Sequence, residues 1–162
     1  MNVSVGSLWA VLDRLDEKAI WLMSRYGILA LRISLGVIFV WFGVLKVIGD
    51  SPVYDLVAST VYLVPPELFV PFLGFWEIAV GLGLLTGLAL RLTLIFFLMQ
   101  MAGTFLVLVV KPEVAFQGLN PLLLTTEGEF VVKNIVLISG ALVVGSTIRR
   151  RERKDRRERD HK

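Results

Sequence analysis

A chain of 162 residues that is 56% hydrophobic, with mean hydropathy +0.73, exceeds the about 45–50% apolar content of soluble domains and reads as one integral membrane domain. There is no cysteine, and the single histidine, His161, sits in a charged tail. That excludes disulfides, thiol redox chemistry and thiolate metal sites within the chain, and it leaves no haem or zinc ligands for a bundle interior, so no metal is expected. The net charge of +3 is lopsided: residues 149–162 hold nine of the 17 Lys/Arg and four of the 14 Asp/Glu, net +5, against −2 for the rest.

Residues 1–25 contain Asp13, Asp16 and Glu17 and no uninterrupted apolar core, unlike a cleavable signal peptide. Leu8, Val11, Leu12, Leu15, Ala19 and Leu22 recur at helical spacing opposite Asp13, Arg14, Glu17 and Lys18. This predicts an amphipathic helix, lying in the headgroup layer or packing on the bundle. The first span is expected over about 26–49, apolar apart from Arg32 and Lys46 and long enough to cross. A polar, proline-containing link over 50–70 follows. The second span is expected over 70–86, closed by Gly87 as a C-cap, and the third over 89–110. Arg91 falls in its first turn and Arg32 near the inner end of the first span, where both snorkel to the headgroups. Residues 111–126 read as a mildly apolar link. The fourth span is expected over 127–148, with Thr126 as N-cap and Glu129 completing a capping box. The tail, 149–162, is too polar to fold alone and suits anionic lipid rather than nucleic acid.

The fold class is therefore all-α: a four-helix membrane bundle with an N-terminal interfacial helix and a charged tail. Arg14, Lys18, Arg25, Arg91 and the tail share one side, whereas Asp50, Asp55, Glu67, Glu113, Glu127 and only Lys111 share the other. The excess of basic residues places both termini in the cytoplasm of a bacterial-type inner membrane.

Topology then gives depth. Lys46 lies within about one turn of the outer surface, Glu77 about 10 Å down the second span and Lys133 about 9 Å down the fourth. Asn134 adjoins them. Gly74, Glu77 and Gly81 share a stripe, as do Gly36, Gly43 and Lys46, and small residues let helix backbones approach. Gly83 and Gly87 form a GxxxG pair that serves intramolecular packing or a homo-oligomer seam. A charge left in lipid costs at least about 2.5 kcal/mol, so Glu77 is expected to pair with Lys46 or Lys133. Two readings are open: a polar pocket for a quinone-type oxygen or small anion, or an ion pair that fixes register and binds nothing. Two lysines against one carboxylate favour the anion, unless Glu129 removes that excess. Gln100 and Thr104, four apart in the third span, are expected to hydrogen-bond between helices. Trp41, Phe42 and Trp76 border the cluster or face lipid.

Three stretches resemble the DoxX-like family of small four-span membrane proteins, and its YkgB-like branch in particular. "LRISLGVIFVWFGVLK" is similar to the first-span pattern through Arg32, Gly36, Gly43 and Lys46. "GFWEIAVGLGLLTG" is similar to the second-span pattern around an acid, and "GEFVVKNIVLI" to the fourth-span opening. The resemblance covers about 26–145 and implies association with redox metabolism or oxidative-stress defence. Some relatives are membrane subunits of a thiosulfate:quinone oxidoreductase, and YkgB-like members are linked to reactive-chlorine defence. Disulfide chemistry does not transfer to a chain without cysteine, so a redox role implies a partner protein or a diffusible quinone and no independent catalysis. The alternatives are an accessory scaffold subunit and, less well supported by four spans without a repeat, a small-solute carrier.

Overall fold

The first helix does not stop where the sequence changes character. In the computed structural model, which describes residues 5–60 and 64–148, α1 runs unbroken from Val5 to Ile48. At 1.5 Å per residue it is about 66 Å long, roughly twice the hydrocarbon thickness of a bilayer. From residue 5 onward, the amphipathic stretch expected over 1–25 is thus the projecting end of the same rod as the first span, and residues 1–4 lie outside the described residues. No proline separates the two, and Gly27 alone does not break a helix flanked by Leu, Ala and Ile. Trp9, Leu12, Leu15, Trp21 and Leu22 on this projection are exposed.

The 50–70 link contains a short helix, α2 (Tyr54–Thr60). The next helix, α3 (Pro66–Thr86), starts four residues before the expected second span, with Pro66 at a first-turn position and Pro71 inside it. A first-turn proline loses no intrahelical bond. Gly87 closes α3 in the left-handed region, φ 71°, and donates its N–H to the Gly83 carbonyl at 2.9 Å. Ala89, also left-handed at φ 46°, opens α4 (Leu90–Phe105). One residue, Leu106, separates α4 from α5 (Val107–Val110), and together they make the third span.

The 111–126 link is structured as well. It holds α6 (Pro112–Ala115), a 3-10 turn (Gln117–Leu119) and an isolated bridge between Phe116 and Leu124. The last helix, α7 (Thr126–Ser146), is capped by Thr125 and not by the expected Thr126. Thr125 Oγ1 accepts the Gly128 N–H at 3.0 Å, and the Thr125 N–H donates to the Ala115 carbonyl. These bonds tie the cap to the preceding link and shift it one residue. Glu129 then lies past the N3 position, and no capping box forms. The tail falls outside the described residues.

Among the described residues, four helices are long and apolar enough to cross a membrane: Val11–Ile48, Pro66–Thr86, Leu90–Val110 and Thr126–Ser146. They pack in a ring. Gly43 meets Gly74 and Gly36 meets Gly81, so α1 and α3 run antiparallel with backbones in contact. Gly83 abuts Thr93 of α4, Gly145 of α7 reaches Leu94 of α4, and Gly140 returns the ring to Leu31 and Leu35 of α1. One core, around Leu35, Phe39, Leu84, Phe97 and Val144, fills the end nearer the termini. A second, of Leu56, Val107 and Val131, joins α2 to the far end. Large side chains such as Phe75, Leu82, Ile95 and Val136 face outward, as a bilayer-embedded surface requires.

Candidate functional site

A buried ion pair joins α1 and α3. Lys46 Nζ donates to both carboxylate oxygens of Glu77, at 3.0 Å and 2.7 Å, and the two side chains are 6% and 10% exposed. The contact follows from local sequence. Lys46 is in the last turn of α1, where unsatisfied carbonyls favour a cation. The neighbouring Gly43–Gly74 contact brings the two backbones close enough for the side chains to meet. Because α3 begins at Pro66, Glu77 is about 16 Å along it, deeper than the sequence suggested.

Gln100 completes the group. Its Nε2 donates to Glu77 Oε1 at 2.6 Å. The α3–α4 turn at Gly87–Ala89 accounts for this contact, since Glu77 and Gln100 stand about 15 Å along their helices on either side of it. The assignment of the amide is also fixed: turned over, it would place two acceptors against each other. Thr104 spends its hydroxyl on the Gln100 carbonyl one turn back, at 3.1 Å.

Lys133 does not join the group. It pairs with Glu129 at 3.1 Å, one turn away on the same helix, with the two side chains 73% and 58% exposed. The buried stripe of α7 runs through Gly128, Val131, Asn134 and Ala141, and Lys133 is rotated off it. Its stem reaches back toward the end of the helix, as a snorkelling lysine does. Asn134, on the stripe, is buried. The second lysine that favoured an anion is therefore absent from this group, where Lys46 and Glu77 pair one to one.

These groups border a cavity of about 540 Å³ at the end of the bundle away from the termini. Lys46, Glu77, Gln100 and Asn134, with Thr60 and Thr104, contribute its polar part, and its walls are otherwise mainly apolar. Phe39, stacked on Phe97 at 4.6 Å, faces it on the side nearer the termini. Val53, Leu56 and Val57 of the α2 region cover the other side. Trp76 and Phe42 line it, whereas Trp41 is exposed and does not. Two side-chain atoms of the lining residues are buried without a hydrogen-bond partner among the described residues: Gln100 Oε1 and Trp76 Nε1.

The remaining candidates sit apart from the cavity. Gly36, Gly43, Gly74 and Gly81 form the α1–α3 contact, Gly83 the α3–α4 contact, and Gly87 the turn. Arg32 is partly buried toward the terminal end of α1, and Arg91 is exposed in the first turn of α4. Sequence reasoning missed the α2 lining and Gly103, which lies one turn beyond Gln100 and lines the same cavity. Stepping by i+3 and i+4 from Gln100 finds Gly103, Thr104 and Val107, all lining residues.

Four crossing helices around a buried charge pair and a largely apolar cavity define a multi-pass helical membrane protein. More particularly, the chain belongs to the DoxX family, whose family model matches residues 27–110. No curated protein and no solved structure matches it. The matched stretch carries Lys46, Glu77 and Gln100 and ends before α7.

Proposed function

We propose that this protein is a YkgB-like member of its family that supports redox metabolism or oxidative-stress defence from the inner membrane, with both termini cytoplasmic, by holding a lipid-soluble quinone in the cavity at Lys46, Glu77 and Gln100. The observation that carries the reading is the cavity itself. Its about 540 Å³ falls within the range of small-molecule sites, and apolar walls with a few convergent polar groups suit an amphipathic ring. The charge balance of the Lys46–Glu77 pair supports a neutral occupant over the small anion. The protein needs no catalytic group of its own in this role, because electrons pass through the quinone to a partner enzyme.

Gly103 gives the test. A Cβ there meets nothing within 4 Å, and Gly103 is exposed where it lines the cavity, so Gly103→Phe adds bulk to the lining from a position with room for the first side-chain carbon. Protein purified in native-lipid particles should release a membrane quinone on solvent extraction, read by mass spectrometry, and Gly103→Phe should release several-fold less. In a strain lacking the gene, the wild-type chain should restore hypochlorite tolerance and Gly103→Phe should not, at equal membrane abundance. Absence of quinone from the wild-type particles would refute the reading.

A second reading, an accessory subunit, is favoured by the α1 projection with its exposed Trp9, Leu12 and Leu15. Truncation before Arg25 would then release a redox or stress-response partner in mild-detergent pull-downs while quinone recovery is unchanged.

A further inference from the structure

We infer that the projecting end of α1 is one half of a parallel coiled coil, and that its partner is a second copy of this chain.

The sequence carries the repeat and the fold leaves it uncovered. Leu8, Leu15, Leu22 and Leu29 recur every seventh residue, and Leu12, Ala19 and Tyr26 follow the first three of them by four. Steps of four and three in alternation are a heptad, here with leucine at every d position. Three heptads are the length at which such a pattern argues for a coiled coil. Leu12, Leu15, Leu22, Tyr26 and Leu29 are each between 41% and 58% exposed. The repeat stops where the bundle begins. Ile33 is its last apolar a position, and the d position after it is Gly36, buried against Gly81 in the α1–α3 seam.

Lipid does not reach most of this stripe. Gly36 meets Gly81 and the two helices are antiparallel, so Thr86 at the end of α3 is level with about residue 31 of α1. Leu22 lies about 13 Å and Leu15 about 24 Å beyond that level along an unbroken helix. The headgroup region on each side of a bilayer is only about 5–8 Å deep. Asp13, Arg14, Asp16, Glu17 and Lys18 are exposed on the same stretch. The leucine row therefore stands in water and needs a protein surface to cover it.

The observations favour a second copy as that surface. A membrane gives two copies the same orientation and the same depth, so their leucines meet parallel and in register. Each d leucine then faces its own equivalent across a two-fold axis. The flanking residues permit this pairing. In parallel register Lys18 faces Met23 of the other copy, Arg25 faces Ala30 and Asp16 faces Val11, so no like charges oppose each other. The bundles do not obstruct it either. Val37 and Val44 continue the outward face of Tyr26 and Ile33, and all four are exposed, so the side of α1 packed on α3 points away from the seam.

The test uses the full chain in its membrane. The chain has no cysteine, so single cysteines report contacts cleanly. Ala19→Cys and Leu22→Cys lie on the seam, and Glu17→Cys and Ser24→Cys lie on the far side of the same turns. Only facing positions come within the roughly 6 Å Cα separation that a disulfide requires. Mild oxidation should link both seam variants into a homodimer of twice the 18.1 kDa chain mass, several-fold more than either far-side variant at equal abundance. Leu15→Glu combined with Leu22→Glu retains good helix formers and should turn a dimer into a monomer when the protein is sedimented in mild detergent. Equal cross-linking at all four positions, or a dimer that survives both glutamates, overturns the inference. So does a monomeric wild-type chain, whether its stripe is covered by the charged tail or by a different protein. Neither readout involves the cavity, so this inference and the quinone reading fail independently.

Discussion

The Lys46–Glu77 contact should be the main polar tie between α1 and α3, and a double-mutant cycle measures it. Lys46→Met strands a carboxylate that is 10% exposed and has Gln100 as its one remaining side-chain donor among the described residues. Glu77→Met strands a lysine that is 6% exposed. Removing one partner of a buried pair costs about 3–5 kcal/mol, because the other charge stays buried without compensation. The double variant removes both charges and leaves only the Gln100 amide without its acceptor, a cost of about 1–3 kcal/mol. The double should therefore be more stable than either single, far from the roughly 8 kcal/mol that additive losses would give. Reversible unfolding by SDS in mixed micelles, followed by tryptophan fluorescence, supplies the free energies. Interhelical hydrogen bonds in membranes average only about 0.6 kcal/mol. Singles that lose that little, or losses that add, would show that the pair is not what holds the two helices in register.

Three other outcomes follow from particular contacts. Gly43→Ala places a Cβ 2.6 Å from the Gly74 carbonyl oxygen, a backbone atom that cannot swing aside. It should lower stability by several times the about 1 kcal/mol of a helix-propensity change, whereas Gly27→Ala, with nothing within 4 Å, should stabilise by up to about 1 kcal/mol in the same unfolding assay. Thr125→Ala removes the α7 N-cap and should cost about 1 kcal/mol, while Thr126→Ala should change stability much less, which distinguishes the two capping residues by melting temperature. Lys133→Ala breaks an exposed i,i+4 pair and should cost no more than about 0.5 kcal/mol, with quinone recovery unchanged.

The spans and two of the polar partners were legible because their signals are local. Runs of about twenty apolar residues, Gly87 as a stop, and the glycine stripes shared by Glu77 and Lys46 all follow from spacing along one helix. Lys133 was misplaced because depth alone does not give facing. Its helix buries Gly128, Val131 and Asn134 at spacing of three, and reading that stripe first would have turned the lysine outward. Gln100 was read as an interhelical partner without a named acceptor. Measuring from the turn at Gly87 in both directions would have supplied Glu77. The links were hardest. The α2 helix is seven residues long, too short to declare itself by periodicity, and it owes its place to Leu56 packing on Val107 and Val131.

The geometry also decides which residues separate binding from folding. The α1–α3 seam is set by glycines whose backbones touch, and the α3–α4 seam is closed at one end by a tight turn. Between the two seams, Glu77 holds Lys46 on one side and Gln100 on the other. The same carboxylate thus organises three helices and forms part of the cavity wall. Loss of activity on changing Glu77 or Lys46 would be ambiguous, since either change also strands a buried charge. Gly103 lines the same space, with nothing among the described residues within 4 Å of a Cβ built there, and the indole N–H of Trp76, which also lines it, has no partner among the described residues. Gly103→Phe and Trp76→Phe alter what the cavity offers while leaving the Lys46–Glu77–Gln100 connections intact, so a binding defect in both at undiminished stability assigns the cavity a ligand.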